Sequence, residues 1–556
     1  MKNSVFVITV FCWLMMTEYQ LVFSQSTVGL LTYNDQPAEN YLLFSPTGSR
    51  STYLIDQCGY KLHEWNTSYF PGQIAYLLPD GNLLRTGRLG GNFNTGGIGG
   101  RVELLNWEGG VLWSHDFATS QYHQHHVVLS MPNGNILVLL YVLKSPDEAL
   151  QAGFRPELIP AAGIWSEQII EIRLKGTNDF DLIWEWNMWD HLIQDFDSTK
   201  DNYGVIRDHP ELMDVNYRDD GAPNPSDWLH FNSLDYHPVL DQIMFSSRHH
   251  SEVYIIDHST TSAESSAHSG GIYGRGGDLL YRFGNPAAYG FDDPDLRWFY
   301  GQHDAHWVTK NGFTDDIIVF NNGITRPGTA FSNIMAWKPP YDEVGGYKLT
   351  NGLFGYTEIS REFTASPPES FFSPRLSGVQ LLQNGHLLIC EGNGGRFFET
   401  DLNNYIIWEY ITPINNFGII PQGVAPTGND VFKCITYSPD YEGFSGRNLS
   451  VSANPLVPSA ASDQCNMISS FDEHNQNFSG SFISHKVLNR FLEISVYGAE
   501  QFEWSLIDVS GRPVIKGKED IGHKIIDLSG LHAGVYFLSV SCPAIHKIYT
   551  TLVLIL

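Results

Sequence analysis

The sequence predicts an all-β chain: a six-bladed β-propeller over residues 25–445, followed by a small β-sandwich over 483–556. Three observations predict it. A tight turn recurs between apolar strands, as Pro79-Asp80-Gly81-Asn82, Pro132-Asn133-Gly134-Asn135 and Gln383-Asn384-Gly385-His386. Asp-Gly and Asn-Gly supply the positive φ angles such hairpins need. Each hairpin is followed by two more strands, the last carrying an aromatic such as Trp113, Trp184 or Trp408. The composition fits a turn-dense β protein, with 52 Gly, 28 Pro, 33 Phe, 27 Tyr and 14 Trp in 556 residues. Four-stranded units about 50 residues or more apart are the mark of a propeller. A sandwich of unrelated hairpins would not repeat both the turn and the trailing aromatic.

The elements follow in order. Lys2, the apolar run Val5 to Met16 and the small and polar residues around Ser24 read as a secretory signal over 1–24. Thr52 to Trp65 is a half copy with no inner hairpin, which strands from the far end could complete. Inner hairpins begin at Ile74, Val127 and Gly378, and outer pairs run from Val102 to Trp113, Ile169 to Trp186, Val253 to Phe283 and Arg396 to Tyr410. Insertions break the period at Lys144 to Trp165 and at Asp190 to Asp227, and long loops on a rigid scaffold are where specificity tends to reside. Residues 446–482 are rich in Ser, Asn, Pro and Gly and read as a linker. Beyond them Leu492 to Val496, Trp504 to Asp508 and Val535 to Val540 alternate as strands of a separate domain.

Charge narrows the functional classes. A net charge of −28 argues against nonspecific nucleic-acid binding, which needs clustered Lys and Arg. It leaves open a small anionic substrate held by a few local cations. No stretch after the signal reaches the ~20 apolar residues of a membrane helix. Removing the signal removes Cys12 and leaves five cysteines with no CxxC spacing, so one disulfide at most is expected, Cys434 with Cys465 being the nearest pair.

The chemistry points to histidine. Gln124-His125-His126, Leu229-His230-Phe231 and Gln302-His303-Asp304-Ala305-His306 each open a repeat, so a radial arrangement would gather these imidazoles near one axis. Histidine can serve there as base, acid, nucleophile or metal ligand. Three other readings remain: a divalent metal held by the cluster for hydrolysis or lysis, a binding module for an anionic or glycan ligand, and a nucleotide enzyme. The last is poorly supported, because Gly270 to Gly277 lacks the βαβ setting of a phosphate cradle and reads as a flexible loop. His249, His250 and His258, with Arg85, Arg248 and Arg375, are expected to serve structure, the arginines as ion-pair partners between repeats.

Two resemblances add to this. The segments Trp189 to Asp197, Asp227 to Ser233, Gly301 to Trp307 and Glu391 to Glu399 resemble the arylsulfate sulfotransferase family. The resemblance implies a six-bladed propeller that moves a sulfuryl group from an aryl sulfate to a phenol through a sulfated histidine, with no nucleotide, cofactor or metal. It places the family's active-site histidines on His230 and His303 and its arginine on Arg326, in Phe320 to Arg326. Asn232, Asn322 and His306, in or beside the same motifs, are expected to bind substrate. The family's sulfuryl-accepting histidine should fall within Phe372 to Gly378, where this chain has none. His125 or His126 is the nearest substitute. The tail, through Asp508 to Arg512, Ile526 to Leu531 and Ala533 to Phe537, resembles the sorting domain of the type IX secretion system of Bacteroidetes. It implies export through the periplasm by that machinery to the surface or the medium.

Overall fold

The computed structural model describes residues 26–34, 37–219, 224–308, 315–342, 345–447, 449, 452, 454–462, 465, 482–488, 491–497, 502–509, 511–519, 523–528, 530–532, 534–542 and 547–555. The signal over 1–24 and most of the linker lie outside them. The chain divides into two compact units, 1–463 and 464–556.

The first unit is built from six sheets of four or five antiparallel strands, among the described residues. Sheet I holds Tyr41–Pro46, Ser51–Ile55 and Lys61–Asn66. Its fourth strand, Val431–Tyr437, comes from the far end and pairs with Tyr41–Pro46, so the half copy is completed as its missing hairpin suggests. Sheet II runs through Pro71–Leu77, Leu83–Arg88, Gly100–Leu105 and Val111–Asp116. Sheet III runs through Tyr122–Ser130, Ile136–Lys144, Ile164–Lys175 and Asp179–Asn187. Sheet IV has Phe231–His237, Gln242–Ser247, Glu252–Asp257 and Tyr281–Phe283. Sheet V has His303–Val308, Asp316–Asn321, Asn333–Lys338 and Glu358–Thr364. Sheet VI has Gly378–Leu381, Leu387–Glu391, Arg396–Thr400 and Ile406–Ile411. A fifth strand, Gly29–Tyr33, adds to its outer edge.

The innermost strands touch in cyclic order. Pro71–Leu77 contacts Tyr122–Ser130, then come Phe231–His237, His303–Val308, Gly378–Leu381 and Val431–Tyr437, which returns to Pro71–Leu77. Residues of all six line one cavity of about 210 Å³.

The outer strands are fastened as regularly. Trp65, Trp113 and Trp408 donate their indole N–H to the carbonyls of Asn106, Asp179 and Gln57, and Trp184 donates to Thr260 Oγ1. Each acceptor lies at the turn before the fourth strand of the next sheet. At the other two junctions Tyr281 Oη donates to the Gly355 carbonyl and Arg361 to those of Asp401 and Leu402. A buried indole must pair its N–H, and this one partner also sets the spacing between neighbours. The predicted equivalence of Trp113, Trp184 and Trp408 appears here as a shared place on the fourth strand and a shared bond.

His258 ties sheets III and IV by another route. Its ring nitrogens lie 3.1 Å from Glu171 Oε2 and 2.7 Å from Asp241 Oδ1. Burial alone would lower its pKa, but the two carboxylates outweigh it and raise the value to about 9. Because the folded value exceeds the unfolded 6.5, the stability from this bridge is complete below pH 6.5 and lost as pH rises through about 9. The shift corresponds to about 3 kcal/mol. Urea unfolding at pH 6 and pH 9.5 should therefore converge for His258→Gln with the wild type only at the higher pH. Equal gaps at both would refute the bridge.

The second unit has a three-stranded sheet, Phe482–Leu488, Phe491–Tyr497 and His523–Asp527, and a four-stranded sheet, Phe502–Asp508, Pro513–Glu519, Gly534–Cys542 and Lys547–Ile555. Leu492, Ile494 and Ile526 from the first share an apolar core with Trp504, Leu506 and Leu538 from the second.

The disulfide expectation is corrected. Cys58 and Cys465 are each disulfide-bonded, whereas Cys434 is a free thiol, buried like Cys390.

Candidate functional site

The site begins with a backbone irregularity that recurs near the start of the inner strands. His126, His230 and Asp304 have φ of 50°, 54° and 60°, and Gln73 and Ser377 have 130° and 86°. At Gln73, His126, His230 and Asp304 the strand register also slips or ends. Left-handed backbone at a residue with a Cβ costs on the order of 1–3 kcal/mol and is kept where it aims a side chain.

Sheets III and IV bring their histidines together. His125 Nδ1 lies 2.8 Å from His126 Nδ1, and the His126 and His230 rings meet edge to face at 4.7 Å. His230 Nδ1 lies 2.7 Å from Asp227 Oδ2, which also accepts from Thr95 Oγ1 at 2.7 Å. Burial would raise the Asp227 pKa, but His230 and Thr95 outweigh it and hold the carboxyl far below its ordinary range. The ionised Asp227 therefore takes the Nδ1 proton of His230 and turns Nε2 outward, as an acid/base pair requires. Tyr141 Oη stands 3.1 Å from the same Nδ1.

His125 has no free nitrogen. Its Nε2 lies 2.9 Å from Glu167 Oε2, its ring stacks on Tyr141 at 3.6 Å, and it is fully buried. It acts on His126, not on a substrate, which corrects the expectation for His125. Burial drives the Glu167 pKa up and those of both histidines down. With a protonated Glu167 donating to His125, the chain of bonds leaves His126 Nε2 carrying hydrogen. Gly97 covers this imidazole: a Cβ there would sit 1.9, 2.1 and 2.3 Å from Cε1, Nε2 and Nδ1, over the ring face, and its φ is +79°.

Sheet V supplies His303, whose tautomer is fixed from behind. Asn322 Nδ2 donates to the carbonyls of Ser373 and Leu376 at 2.7 and 3.1 Å, so its Oδ1 is the acceptor that receives His303 Nδ1–H at 2.7 Å. Burial, then the neighbouring Arg248, lower the His303 pKa to about 3. The ring is neutral at pH 7 and its Nε2 bears a lone pair. Asn322, expected to bind substrate, instead orients the histidine. The segment where the family's accepting histidine is sought, 372–378, supplies the carbonyls that orient Asn322.

Arg248 is the residue the sequence reading missed. It was taken for an ion-pair partner, yet no carboxylate lies within 4.0 Å of its guanidinium and no hydrogen bond holds it, among the described residues. Its charge bears on Asp227, His126, His249 and His303. Arg85 and Arg375 do form ion pairs, with Glu103 and Asp430. His249, also read as structural, lies 4.7 Å from His230 ring to ring.

Other predicted residues stand apart. Arg326 is half-buried between Tyr300 and Phe331, and its Nη2 donates to Asn333 Oδ1 at 2.8 Å. No hydrogen bond, ion pair or ring contact joins it to His230 or His303 among the described residues. His125, His126, His230, His303 and Arg326 are not among the walls of the cavity at the axis. That cavity is lined by Asn232 and His306, with Tyr76, Asp235, Asp304 and Lys433. Lys433 Nζ meets Asp304 Oδ1 at 2.5 Å, and Asn232 Nδ2 donates to the Gln302 carbonyl. Asn232 and His306 thus belong to the axis, a bulge away from His303.

No curated protein matches the chain. Among solved structures, it resembles a catalytically inactive virginiamycin B lyase from Staphylococcus aureus with quinupristin, at 11% identity over 70% of this chain and 89% of that one, TM-score 0.32. It also resembles a putative 6-phosphogluconolactonase from Bacteroides fragilis, at 9% identity over 72% and 100%, TM-score 0.30. A calcium-binding regucalcin from Agrobacterium tumefaciens follows, at 9% over 73% and 97%, TM-score 0.28. Likenesses this weak carry no argument here. The sequence profile of the arylsulfotransferase (ASST) family is another matter: it matches residues 78–415, from the first inner hairpin past the last strand of sheet VI, and by that match the chain belongs to the arylsulfotransferase family.

Proposed function

We propose that the first unit is a six-bladed propeller that transfers a sulfuryl group from an aryl sulfate to a phenol, at His126, His230, His303 and Arg248. The observation that carries the reading is the buried, neutral His303, whose Nε2 lone pair is fixed by Asn322 beside an unpaired guanidinium. His303 Nε2 attacks sulfur; the N–S bond forms, the S–O bond to the aryl group breaks, and His230, entering the step as the imidazolium held by Asp227, gives its Nε2 proton to the leaving phenolate and becomes neutral. In the return step His230 takes the proton of the acceptor phenol, whose oxygen takes the sulfuryl group from His303. Arg248 and His126 Nε2–H face the three sulfuryl oxygens, where transition-state charge collects. Arg326, the family's match, is a second cation at the rim. The cyclic contacts and the shared cavity support the six-bladed ring. The tail's resemblance supports a β-sandwich sorting domain, type IX export and a cell-surface or secreted product, with small aryl sulfates and phenols as partners.

A second reading has its own observation. Asp227, His230 and His249 offer ligand atoms within 4.8 Å of one another, and His249 Nε2 and Asp227 Oδ1 are buried without partners, as a metal-assisted hydrolase or lyase would need. One assay separates them: a chromogenic aryl sulfate with a phenol acceptor, with and without chelator. Chelator-insensitive sulfated phenol supports transfer. Chelator-sensitive release of sulfate supports the metal. Binding without turnover leaves a binding module for an anionic or glycan ligand.

Arg248→Ala is expected to weaken binding of the aryl sulfate by one to two powers of ten, since a charged hydrogen bond contributes roughly 1.5–3 kcal/mol. Arg375→Ala, whose ion pair with Asp430 is largely exposed, should leave it unchanged. Calorimetric titration with a slow aryl sulfate measures both, and equal affinities for the two variants would remove Arg248 from the site.

A further inference from the structure

The two insertions that break the repeat, Lys144 to Trp165 and Asp190 to Asp227, enclose a cavity of about 750 Å³ away from the histidines of the transfer site. Glu148, Trp189, Asp190, Asp201, His209 and His268 are among its walls. Against it stands a cluster the reaction does not use. Asp278 Oδ1 lies 2.8 Å from both His191 Nδ1 and His268 Nδ1. His191 and Asp278 are buried, whereas the His268 side chain is 63% exposed and opens to the cavity.

The wiring behind the cluster is that of a ligand set. His191 Nε2 lies 2.8 Å from the Ser265 carbonyl, which can only accept, so Nε2 carries the hydrogen. In the neutral ring Nδ1 is then a lone pair facing a carboxylate, a pairing that is satisfied by a proton on Nδ1 or by a metal ion between the two. A back-side N–H held by a carbonyl is what fixes the tautomer of a metal-binding histidine. The ring is locked besides: it stacks on Trp186 at 5.7 Å, and a Cβ on Gly277 would sit 2.6 Å from its Nε2 and 1.9 Å from the Ser265 oxygen. The glycine-rich segment read as a flexible loop is packed closely at Gly271, Gly276 and Gly277, while Ile272 and Gly274 stay open, and it ends at the ligand Asp278.

We propose that His191, His268 and Asp278 bind a zinc-class divalent ion whose remaining position faces the insertion cavity. Two imidazoles and one carboxylate are a borderline set suited to zinc, and three protein ligands leave a site open to water or substrate. Ligands about 2.0–2.1 Å from a tetrahedral ion stand about 3.3 Å apart, so the 2.8 Å contacts need open by only about half an ångström. The exposed His268 can supply that movement. The acidic walls, Glu148, Asp190 and Asp201, favour entry of a cation.

The test uses the full-length protein, stripped with chelator and titrated with zinc chloride at pH 7.5. Expected are one tight ion per chain, a zinc-dependent rise in melting temperature, and tetrahedral visible bands when cobalt replaces zinc. His268→Ala and Asp278→Asn should each weaken zinc binding by more than about 100-fold, beyond what loss of a supporting residue does. Both should keep the metal-free melting temperature within a few degrees, Asp278→Asn because the amide oxygen still accepts from one imidazole. His249→Ala, in the transfer site, should leave the titration unchanged. Absence of binding by the wild-type protein at micromolar zinc, or binding that survives both cluster variants, would overturn the proposal and leave a hydrogen-bonded triad.

Discussion

His303→Ala is expected to lower the rate of sulfuryl transfer by roughly 10⁴-fold or more, the scale on which removal of a covalent nucleophile acts. The other groups would still gather donor and acceptor, so binding of the aryl sulfate should change far less than turnover. Asn322→Leu should act in the same direction through His303, by freeing the ring and releasing Nδ1–H from its acceptor. A chemical quench of the wild-type enzyme with donor alone, followed by peptide mapping, should find the sulfuryl group on His303. Finding it on His126, or retaining a tenth of the rate in His303→Ala, would move the nucleophile elsewhere.

Acid is expected to unfold the first unit near pH 4–5, with buried imidazoles supplying much of the loss. Burial first, then His230 and Arg248, lowers His249 to about 3 against the opposing pull of Asp227, and burial with Arg248 and His230 lowers His303 to about 3. Both folded values lie below the unfolded 6.5, so the unfolded chain binds these protons first. Their stability is complete above about pH 6.5 and falls as pH drops toward 3. At pH 4.5 the two together have lost about 5 kcal/mol, at 1.36 kcal/mol per unit each. His125, His126 and His250 are shifted the same way by burial, and the depressed Asp227 adds to the loss below its unfolded value. A domain holds only about 5–15 kcal/mol in all, so the transition should fall near pH 4–5. Urea midpoints at pH 7 and pH 4.5 measure it; an unchanged midpoint would mean that these imidazoles are hydrated and charged.

What the sequence made legible, and what it did not, follows from locality. The four-strand plan of the sheets is written in turns and alternation, each within a few residues of the next. The trailing tryptophans are legible for the same reason, although their partners in the next sheet are not. Gly29–Tyr33 was not legible as the fifth strand of sheet VI, because its partner Ile406–Ile411 lies at the other end of the chain. His126 and His125 look interchangeable in sequence, and only the left-handed φ at His126 separates a residue facing the site from one facing Glu167. Arg248 reads like any arginine beside a strand end; that no carboxylate meets it is a property of the folded surroundings. Asn322 was found by its motif, but its bonds to Ser373 and Leu376, in the segment leading into the next sheet, lie beyond local pattern.

Sheet I joins Tyr41–Pro46 to Val431–Tyr437, across almost the whole length of the first unit. Time enters through that pairing. A ribosome delivers the two strands roughly 20–80 s apart at about 5–20 residues per second, and until the second emerges the first has an unpaired inner edge. The nascent chain therefore stays open through nearly all of its synthesis, and closing so long a loop makes the last step slow. Chains stalled before Val431 should be digested by protease throughout, while those released beyond Tyr437 should become resistant over the first unit in one step.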